Sequence, residues 1–199
     1  RPSGQALIDP AVFTTPQEPS ARFIVACCRH PGWAVERARA NHSLLDLDRR
    51  MTQGEVVPQF MLLMGDQIYA DATAGVADSP SAVEKVVTAS RTAFNTDGMR
   101  RILSRVPCYM AIDDHEIAEN WSGDMLEGSG PSQTETRRLH ATGMASFAAF
   151  QWVHSPRNHN AGSFDYGFEA SSCDVFVLDA RSHRHRAAAA GARAGRAGR

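Results

Sequence analysis

Two apolar runs of this chain each end in a short acidic motif, and this feature constrains the fold most strongly. Residues 59–64 lead into Gly65-Asp66-Gln67-Ile68-Tyr69-Ala70-Asp71, and residues 106–112 lead into Asp113-Asp114-His115-Glu116. Because parallel strands end at one edge of an open α/β sheet, we expect both motifs at the edge where such sheets bind ligands. Carboxylates gathered there suit metal ions, and metal ions suit the hydrolysis of a charged ester.

The rest of the sequence alternates between strand-like and helix-like segments, which predicts a parallel or mixed α/β sheet. Predicted strands span residues 22–28, 59–64, 107–112, 162–169 and 174–179. Predicted helices span residues 33–51, 99–106 and 133–152, and a further helix begins at Ser79-Pro80. That helix start combines a hydroxyl cap with a proline in the first turn.

The two ends of the sequence differ from its middle in composition. Residues 1–20 are rich in Pro, Ser and Gln, which is typical of a linker, and residues 187–199 contain only Ala, Gly and Arg. Because a segment without apolar periodicity cannot pack a core, we expect residues 187–199 to be disordered. The predicted domain therefore spans residues 21–186.

Charge is unevenly distributed along the chain. The net charge is −1, but residues 181–199 carry six Arg and no acidic residue, so residues 1–180 hold 15 basic and 22 acidic side chains. An acidic body suits a cation site, so we expect no nucleic-acid partner, although a basic nucleic-acid-binding tail is the alternative. Bound cations would relieve repulsion between this body and a phosphate substrate. Because no run of about 18 apolar residues occurs, we expect no membrane span.

The first acidic motif offers two candidate metal ligands. Asp66 has two carboxylate oxygens and can bridge two metal ions about 4 Å apart, whereas an Asp in this position can also cap a turn. Tyr69 becomes a phenolate ligand only beside a strong cation, because a phenol titrates at about pH 10. Packing beside the sheet is the alternative for Tyr69. We expect Asp71 to be a solvated turn residue.

The second acidic motif is the more specific signal. Asp113 and Asp114 are adjacent carboxylates that repel each other unless a positive group lies close by, and a metal ion is the simplest such group. His115 could donate a proton to a leaving oxygen, although a histidine beside acids is more often a paired surface residue. We expect Asp113 and Glu116 to orient His115. Asn120 offers a neutral oxygen ligand.

The first predicted strand ends at a cysteine that should reach the same sheet edge. The thiolate of Cys28 would suit iron or zinc, and Arg29 beside it could clamp a phosphate oxygen. His30 is either a further chelating residue or a loop histidine. Apolar surroundings predict buried free thiols for the other cysteines, which are Cys27, Cys108 and Cys173.

The last predicted strand ends with Asp179 and Arg181, which also point at this edge. Arg181 either binds phosphate or pairs with Asp179. No P-loop, Gly-x-Ser-x-Gly elbow or dinucleotide-binding glycine loop occurs in the sequence. This excludes the commonest nucleotide-binding and serine-hydrolase interpretations.

Three motifs, in their order and spacing, resemble the alkaline phosphatase D family of the calcineurin-like metallophosphoesterase superfamily. They are residues 65–71, Asp113-Asp114-His115-Glu116-Ile117 through Asn120-Trp121, and Leu178-Asp179-Ala180-Arg181-Ser182. The resemblance covers about residues 20–186. It implies a β-sandwich flanked by helices, of which this chain holds the N-terminal portion, and hydrolysis of phosphate monoesters and diesters.

The resemblance also implies a centre of iron and calcium, with other divalent metals as alternatives. It makes Cys28, Asp66 and Tyr69 iron ligands. Asp114 falls where the superfamily has a metal-binding Asn, and His115 matches the histidine that follows it. The full candidate set comprises the metal ligands Cys28, Asp66, Tyr69, Asp114 and Asn120 and the catalytic residues His115 and Arg29.

Members of the family continue well beyond the last motif and draw further metal ligands from later strands. This sequence instead passes into Ala, Gly and Arg. We therefore expect half of a metal site, with weak metal binding and little hydrolysis by this chain alone. A non-catalytic module of the same fold is the alternative.

Overall fold

The computed structural model describes residues 19–30, 41–71, 82–127, 129–156 and 163–185, so the predicted tail and residues 1–18 of the predicted linker lie outside the described residues. The described strands are β1 (Phe23–Ala26), β2 (Phe60–Leu63), β3 (Cys108–Met110), β4 (Tyr166–Ala170) and β5 (Cys173–Val177). The α-helices are α1 (His42–Thr52), α2 (Ala82–Phe94), α3 (Asp97–Leu103) and α4 (Pro131–Phe150), and 3-10 helices span Gly123–Leu126 and Trp152–His154. None of the described helices combines the length and hydrophobicity needed to cross a bilayer.

The first three strands form a parallel sheet in the order β1-β2-β3. Met61 pairs with Cys108, so the central strand β2 runs beside β3 in the same direction. Side chains alternate between the two faces, since Met61 and Leu63 pack against α1 and α3 whereas Leu62 packs against the second sheet. The carboxyl ends of β2 and β3 therefore lie side by side, as the sequence predicts.

The last two strands form a separate antiparallel hairpin. Tyr166 and Phe168 on its inner face pack against Leu62 and Tyr109 of the first sheet. The rings of Tyr109 and Phe168 stack with centroids 3.7 Å apart, and the hydroxyl of Tyr166 donates to the carbonyl oxygen of Met110 at 3.0 Å. The predicted sheet is thus divided into a parallel layer facing an antiparallel layer, with helices α1 and α3 outside the parallel one.

A second pair of helices, α2 and α4, backs the loop that follows β3. The hydroxyls of Ser90 and Ser146 form a hydrogen bond of 2.7 Å where the two helices meet. Phe147 of α4 packs against Ile117 in a buried cluster. A Cβ added to Gly143 would lie 2.8 Å from Cγ1 of Ile117. This close approach gives the loop after β3 a rigid backing.

Some sequence-based expectations differ from the structure. The helix predicted over residues 33–51 is not among them, because α1 confirms it from His42 onward and residues 31–40 lie outside the described residues. Cys108 is buried as predicted, but Cys27 and Cys173 are exposed. Cys27 follows the edge strand β1, and Cys173 begins β5 beside the hairpin turn, so their apolar neighbours in sequence do not cover them.

The loops after β2 and β3 approach each other tightly at Gly65. Its φ is +101°, and a Cβ added there would lie 2.3 Å from the Cβ of Asp113. We expect Gly65→Ala to lower the free energy of unfolding by about 3 kcal/mol, because backbone strain and steric overlap add.

Gly54→Ala is the matched control for this prediction. Gly54 also has a positive φ of +74°, but no atom lies within 4 Å of the position of an added Cβ. Replacement of Gly54 by Ala should lower the free energy of unfolding by only about 1 kcal/mol, because of backbone strain alone. Urea denaturation measures both variants, and equal losses would contradict the close contact between the two loops.

Candidate metal centre

One buried carboxylate joins the loops that follow β2 and β3. Glu116 is 0% exposed, and its Oε2 accepts the backbone N–H groups of Asp66 at 3.2 Å and Asp113 at 3.0 Å. Its Oε1 accepts the backbone N–H of Gln67 at 2.9 Å. Burial raises the pKa of Glu116 to about 7, although the three N–H donors act in the opposite direction. Glu116 therefore fixes the backbone of both loops, rather than orienting His115 as expected.

Three of the side chains singled out by the sequence converge at this junction. Ligand atoms of Asp66, Asp114 and His115 all lie within 4.8 Å of one another. Asp66 and Asp114 are only 5% and 7% exposed. Burial, together with the nearby charge of Asp113, raises the pKa of Asp66. Carboxylate oxygens match the donors that a hard divalent or trivalent cation prefers, so Asp66 and Asp114 fit a metal ion, and the imidazole of His115 lies beside them.

The backbone is strained at three of the five candidate metal ligands. The φ angles are 55° at Cys28, 56° at Asp66 and 58° at Asn120. Among the described residues other than glycine, the same conformation recurs only at Ser171, in the turn between β4 and β5. Such strain costs about 1–3 kcal/mol per residue and tends to gather at functional sites. The backbone therefore supports the choice of these three residues.

Cys28 and Tyr69 contact the same oxygen of Asp66. The thiol of Cys28 and the hydroxyl of Tyr69 each donate to Oδ2 of Asp66 at 3.5 Å. The thiol of Cys27, and then burial, raise the pKa of Cys28 to about 11, and burial raises the pKa of Tyr69. Both groups are therefore neutral at pH 7 in the protein alone, and they become anionic ligands only beside a cation.

His115 is held in place by Asp71 and Tyr69. Its Nδ1 lies 2.8 and 2.9 Å from the two carboxylate oxygens of Asp71, and its ring stacks on that of Tyr69 with centroids 4.2 Å apart. Asp71 also accepts the backbone N–H of Glu119 at 2.6 Å, so this bend residue is partly exposed but paired, where the sequence predicts a solvated turn residue. Burial lowers the pKa of His115, but Asp71 and the nearby carboxylates outweigh that effect and the pKa is raised. Nε2 is the ring nitrogen left for the site.

Arg181 reaches the second acidic motif from the loop after β5. Its Nε donates to Oδ1 of Asp113, its Nη2 donates to Oδ1 of Asp114 at 3.2 Å, and its Nη1 donates to the carbonyl oxygen of Trp121 at 3.3 Å. Asp179 instead accepts the backbone N–H of Arg181 at 3.0 Å. Pairing of the guanidinium with Asp179 is therefore wrong, and phosphate binding by Arg181 stays a prediction.

Arg29 contacts the centre through its backbone and points its side chain elsewhere. Its backbone N–H donates to the carbonyl oxygen of Asp66 at 2.8 Å. Its Nη2 donates to Oδ1 of Asn41 at 3.0 Å and to Oγ1 of Thr96 at 2.9 Å, at the starts of α1 and α3. Burial lowers the pKa of Arg29 to about 10. The structure therefore does not bring this guanidinium into the cluster of carboxylates.

Two further candidates border the cluster. The ring of His30 packs edge-on against the ring of Tyr69 with centroids 4.8 Å apart. Asn120 donates its backbone N–H to Oδ2 of Asp114 at 2.5 Å, and the residue as a whole is exposed. His30 thus contacts an aromatic wall of the site, and Asn120 contacts a candidate ligand through its backbone.

The sheet edge with its carboxylates, imidazole, thiol and phenol defines a candidate metal centre in an α/β fold. The model of the PhoD-like phosphatase family matches residues 23–198, and the chain belongs to that family. A solved structure of PhoD has a TM-score of 0.57 and 14% sequence identity to this chain. This likeness concerns the fold alone, and it confirms the predicted α/β fold class. The match covers 89% of this chain and 34% of that PhoD chain, and no curated protein matches.

We expect Glu116→Gln to lower the free energy of unfolding by about 2 kcal/mol at pH 8. A Gln side chain retains one acceptor oxygen, so its amide group leaves at least one buried backbone N–H without a partner. Glu119→Gln is the matched control, because Glu119 is exposed, and it should change stability by less than about 0.5 kcal/mol. Chemical denaturation measures both variants. An unchanged free energy of unfolding in Glu116→Gln would contradict the conclusion that Glu116 holds the two loops together.

We expect Asp71→Asn to lower the pKa of His115 in metal-free protein. The substitution removes the hydrogen-bonded charge that raises this pKa most, so the effect of burial, which lowers it, is then opposed only by the weaker attraction of Asp66 and Asp114. Because the pKa is raised on folding, the stabilisation from this pair is complete below the unfolded pKa of about 6.5 and is lost as the pH rises through the folded value. Titration of the His115 ring proton by NMR measures the shift, with Asp97→Asn as the control. An unchanged pKa in Asp71→Asn would contradict the pairing.

Proposed function

We propose that the protein hydrolyses phosphate monoesters or diesters with bound metal ions. The observation that carries this proposal is the convergence of Asp66, Asp114 and His115, whose ligand atoms lie within 4.8 Å of one another. Membership of the PhoD-like phosphatase family supports a phosphoester as the substrate. The acidic surroundings of the site favour a cation, which in turn can attract the anionic phosphoryl group.

The donor set divides into two parts around Asp66. Cys28 and Tyr69 would contribute a sulfur and a phenol oxygen, which suit iron. Asp114 and Asn120 would contribute oxygen atoms, which suit calcium or another hard divalent ion. Asp66 contacts Cys28 and Tyr69 and also lies close to Asp114, so its carboxylate is the proposed bridge between the two parts.

A bound metal ion supplies Lewis acidity, which lowers the pKa of water and offsets the negative charge of a phosphoryl group. His115 is the proposed general acid. Asp71 orients its ring through Nδ1 and stabilises the imidazolium form, so Nε2 holds a proton that it can donate to the leaving oxygen. The stack on Tyr69 keeps the ring in this orientation.

Arg29 is the proposed phosphate ligand. Its Nε and Nη1 have no hydrogen-bond partner among the described residues, so their N–H groups are available to donate to a ligand. Such donors suit two oxygens of one phosphoryl group. Because Nη2 is held by Asn41 and Thr96, a side-chain rotation is needed before Arg29 can contact substrate.

The proposal is tested by hydrolysis of p-nitrophenyl phosphate and bis(p-nitrophenyl) phosphate after addition of iron and calcium. In line with the expectation of little hydrolysis by this chain alone, we expect slow hydrolysis that requires metal and falls by at least about 100-fold in Asp66→Asn, because the bridging carboxylate is lost. Asp174→Asn is the matched control, since Asp174 lies on the exposed face of the hairpin. Metal binding without turnover would instead favour a non-catalytic module, and equal turnover by Asp66→Asn would contradict the proposed centre.

A further inference from the structure

The acidic cluster already contains a positive charge that belongs to the chain. Arg181 contacts Asp113 and Asp114 through two different nitrogens of one guanidinium. The side chains of Arg181 and Asp114 are only 13% and 10% exposed, so this ion pair is largely shielded from water. A guanidinium that joins two carboxylates offsets the repulsion that adjacent acidic residues would otherwise feel.

The position of Arg181 is built into the loop after β5. Asp179 is 6% exposed, and its Oδ1 accepts the backbone N–H groups of Arg181 at 3.0 Å and Ser182 at 2.9 Å. Its Oδ2 accepts the backbone N–H of Phe164 at 3.2 Å. The carbonyl oxygen of Trp121 accepts a further donor of the guanidinium, on the side of the loop after β3. Arg181 is therefore anchored from the second sheet and from the site itself.

Both oxygens of Asp114 have partners in this arrangement. Oδ1 accepts from Nη2 of Arg181 at 3.2 Å, and Oδ2 accepts the backbone N–H of Asn120 at 2.5 Å. A metal ion bound by Asp114 must share an oxygen with one of these donors. The guanidinium also repels an arriving cation, because both carry positive charge.

We propose that Arg181 is the resident counter-ion of the acidic cluster, which holds Asp113 and Asp114 in place before metal binds and weakens the binding of that metal. This inference rests on the proposed function and concerns the regulation of its site. Arg181 is a positioning residue here. It stabilises the metal-free form, and a bound cation takes over part of its role.

Mn²⁺ is the probe for this inference, because it prefers oxygen and nitrogen donors and its free aqua ion is measured directly by EPR. In Arg181→Gln we expect the dissociation constant for Mn²⁺ to fall by at least about fivefold at low salt, since a like charge is removed from the site. The same variant should have a lower melting temperature than wild type in EDTA, and excess Mn²⁺ should narrow that difference.

Two further variants distinguish the effect of losing the Arg181 charge from a general loss of folded structure. Arg181→Lys keeps the positive charge, so its affinity for Mn²⁺ should stay within about twofold of wild type. Arg184→Gln is the control for loss of a neighbouring charge, because Arg184 is exposed, and it should leave both the affinity and the melting temperature unchanged. If Arg181→Gln is unfolded in EDTA, Mn²⁺ must restore its native circular dichroism spectrum.

The outcomes distinguish this inference from the proposed function. Mn²⁺ binding that is equal or weaker in Arg181→Gln than in wild type would overturn the counter-ion role alone. Failure of Mn²⁺ to restore an unfolded Arg181→Gln would do the same. Absence of Mn²⁺ binding by the wild-type chain would overturn both the metal centre and the inference that rests on it.

Discussion

The arrangement of the centre depends on the buried carboxylate of Glu116. Three backbone N–H groups from two loops point at its two oxygens, and each of them would lack a partner without it. At the same junction the backbone of Gly65 packs so closely against Asp113 that no larger side chain fits there. Because the loops are joined through their backbones, Asp66 and His115 are brought together across a separation of 49 residues.

Charge in the centre is balanced by groups of different kinds. Asp71 stabilises the protonated form of His115, and Arg181 pairs with the carboxylates of the second motif. The thiol of Cys28 stays protonated because the thiol of Cys27, and then burial, raise its pKa, and the phenol of Tyr69 stays protonated because burial raises its pKa. These partners keep the acidic residues close together, in positions that suit a cation.

The strand-end rule was enough to predict that Asp66, Asp114 and His115 converge, because apolar runs followed by polar motifs reveal where strands stop. It could not predict the partner of His115, since Asp71 lies 44 residues away and no local pattern joins the two. The contact between Arg181 and Asp113 also escaped the sequence, because it depends on how the hairpin packs over the first sheet. The sequence also failed to predict that the Cys173 thiol is exposed, because its exposure depends on its place at the start of a strand beside the hairpin turn.

The central claim is that loops from two neighbouring strands form one cation site. Paramagnetic broadening of backbone amide signals during a Mn²⁺ titration tests it most directly, because broadening falls steeply with distance from the ion. The account predicts early and simultaneous broadening at Asp66, His115 and Asn120, with Gly54 and Asp174 unaffected. Broadening confined to one of the two loops, or centred on another part of the chain, would contradict it.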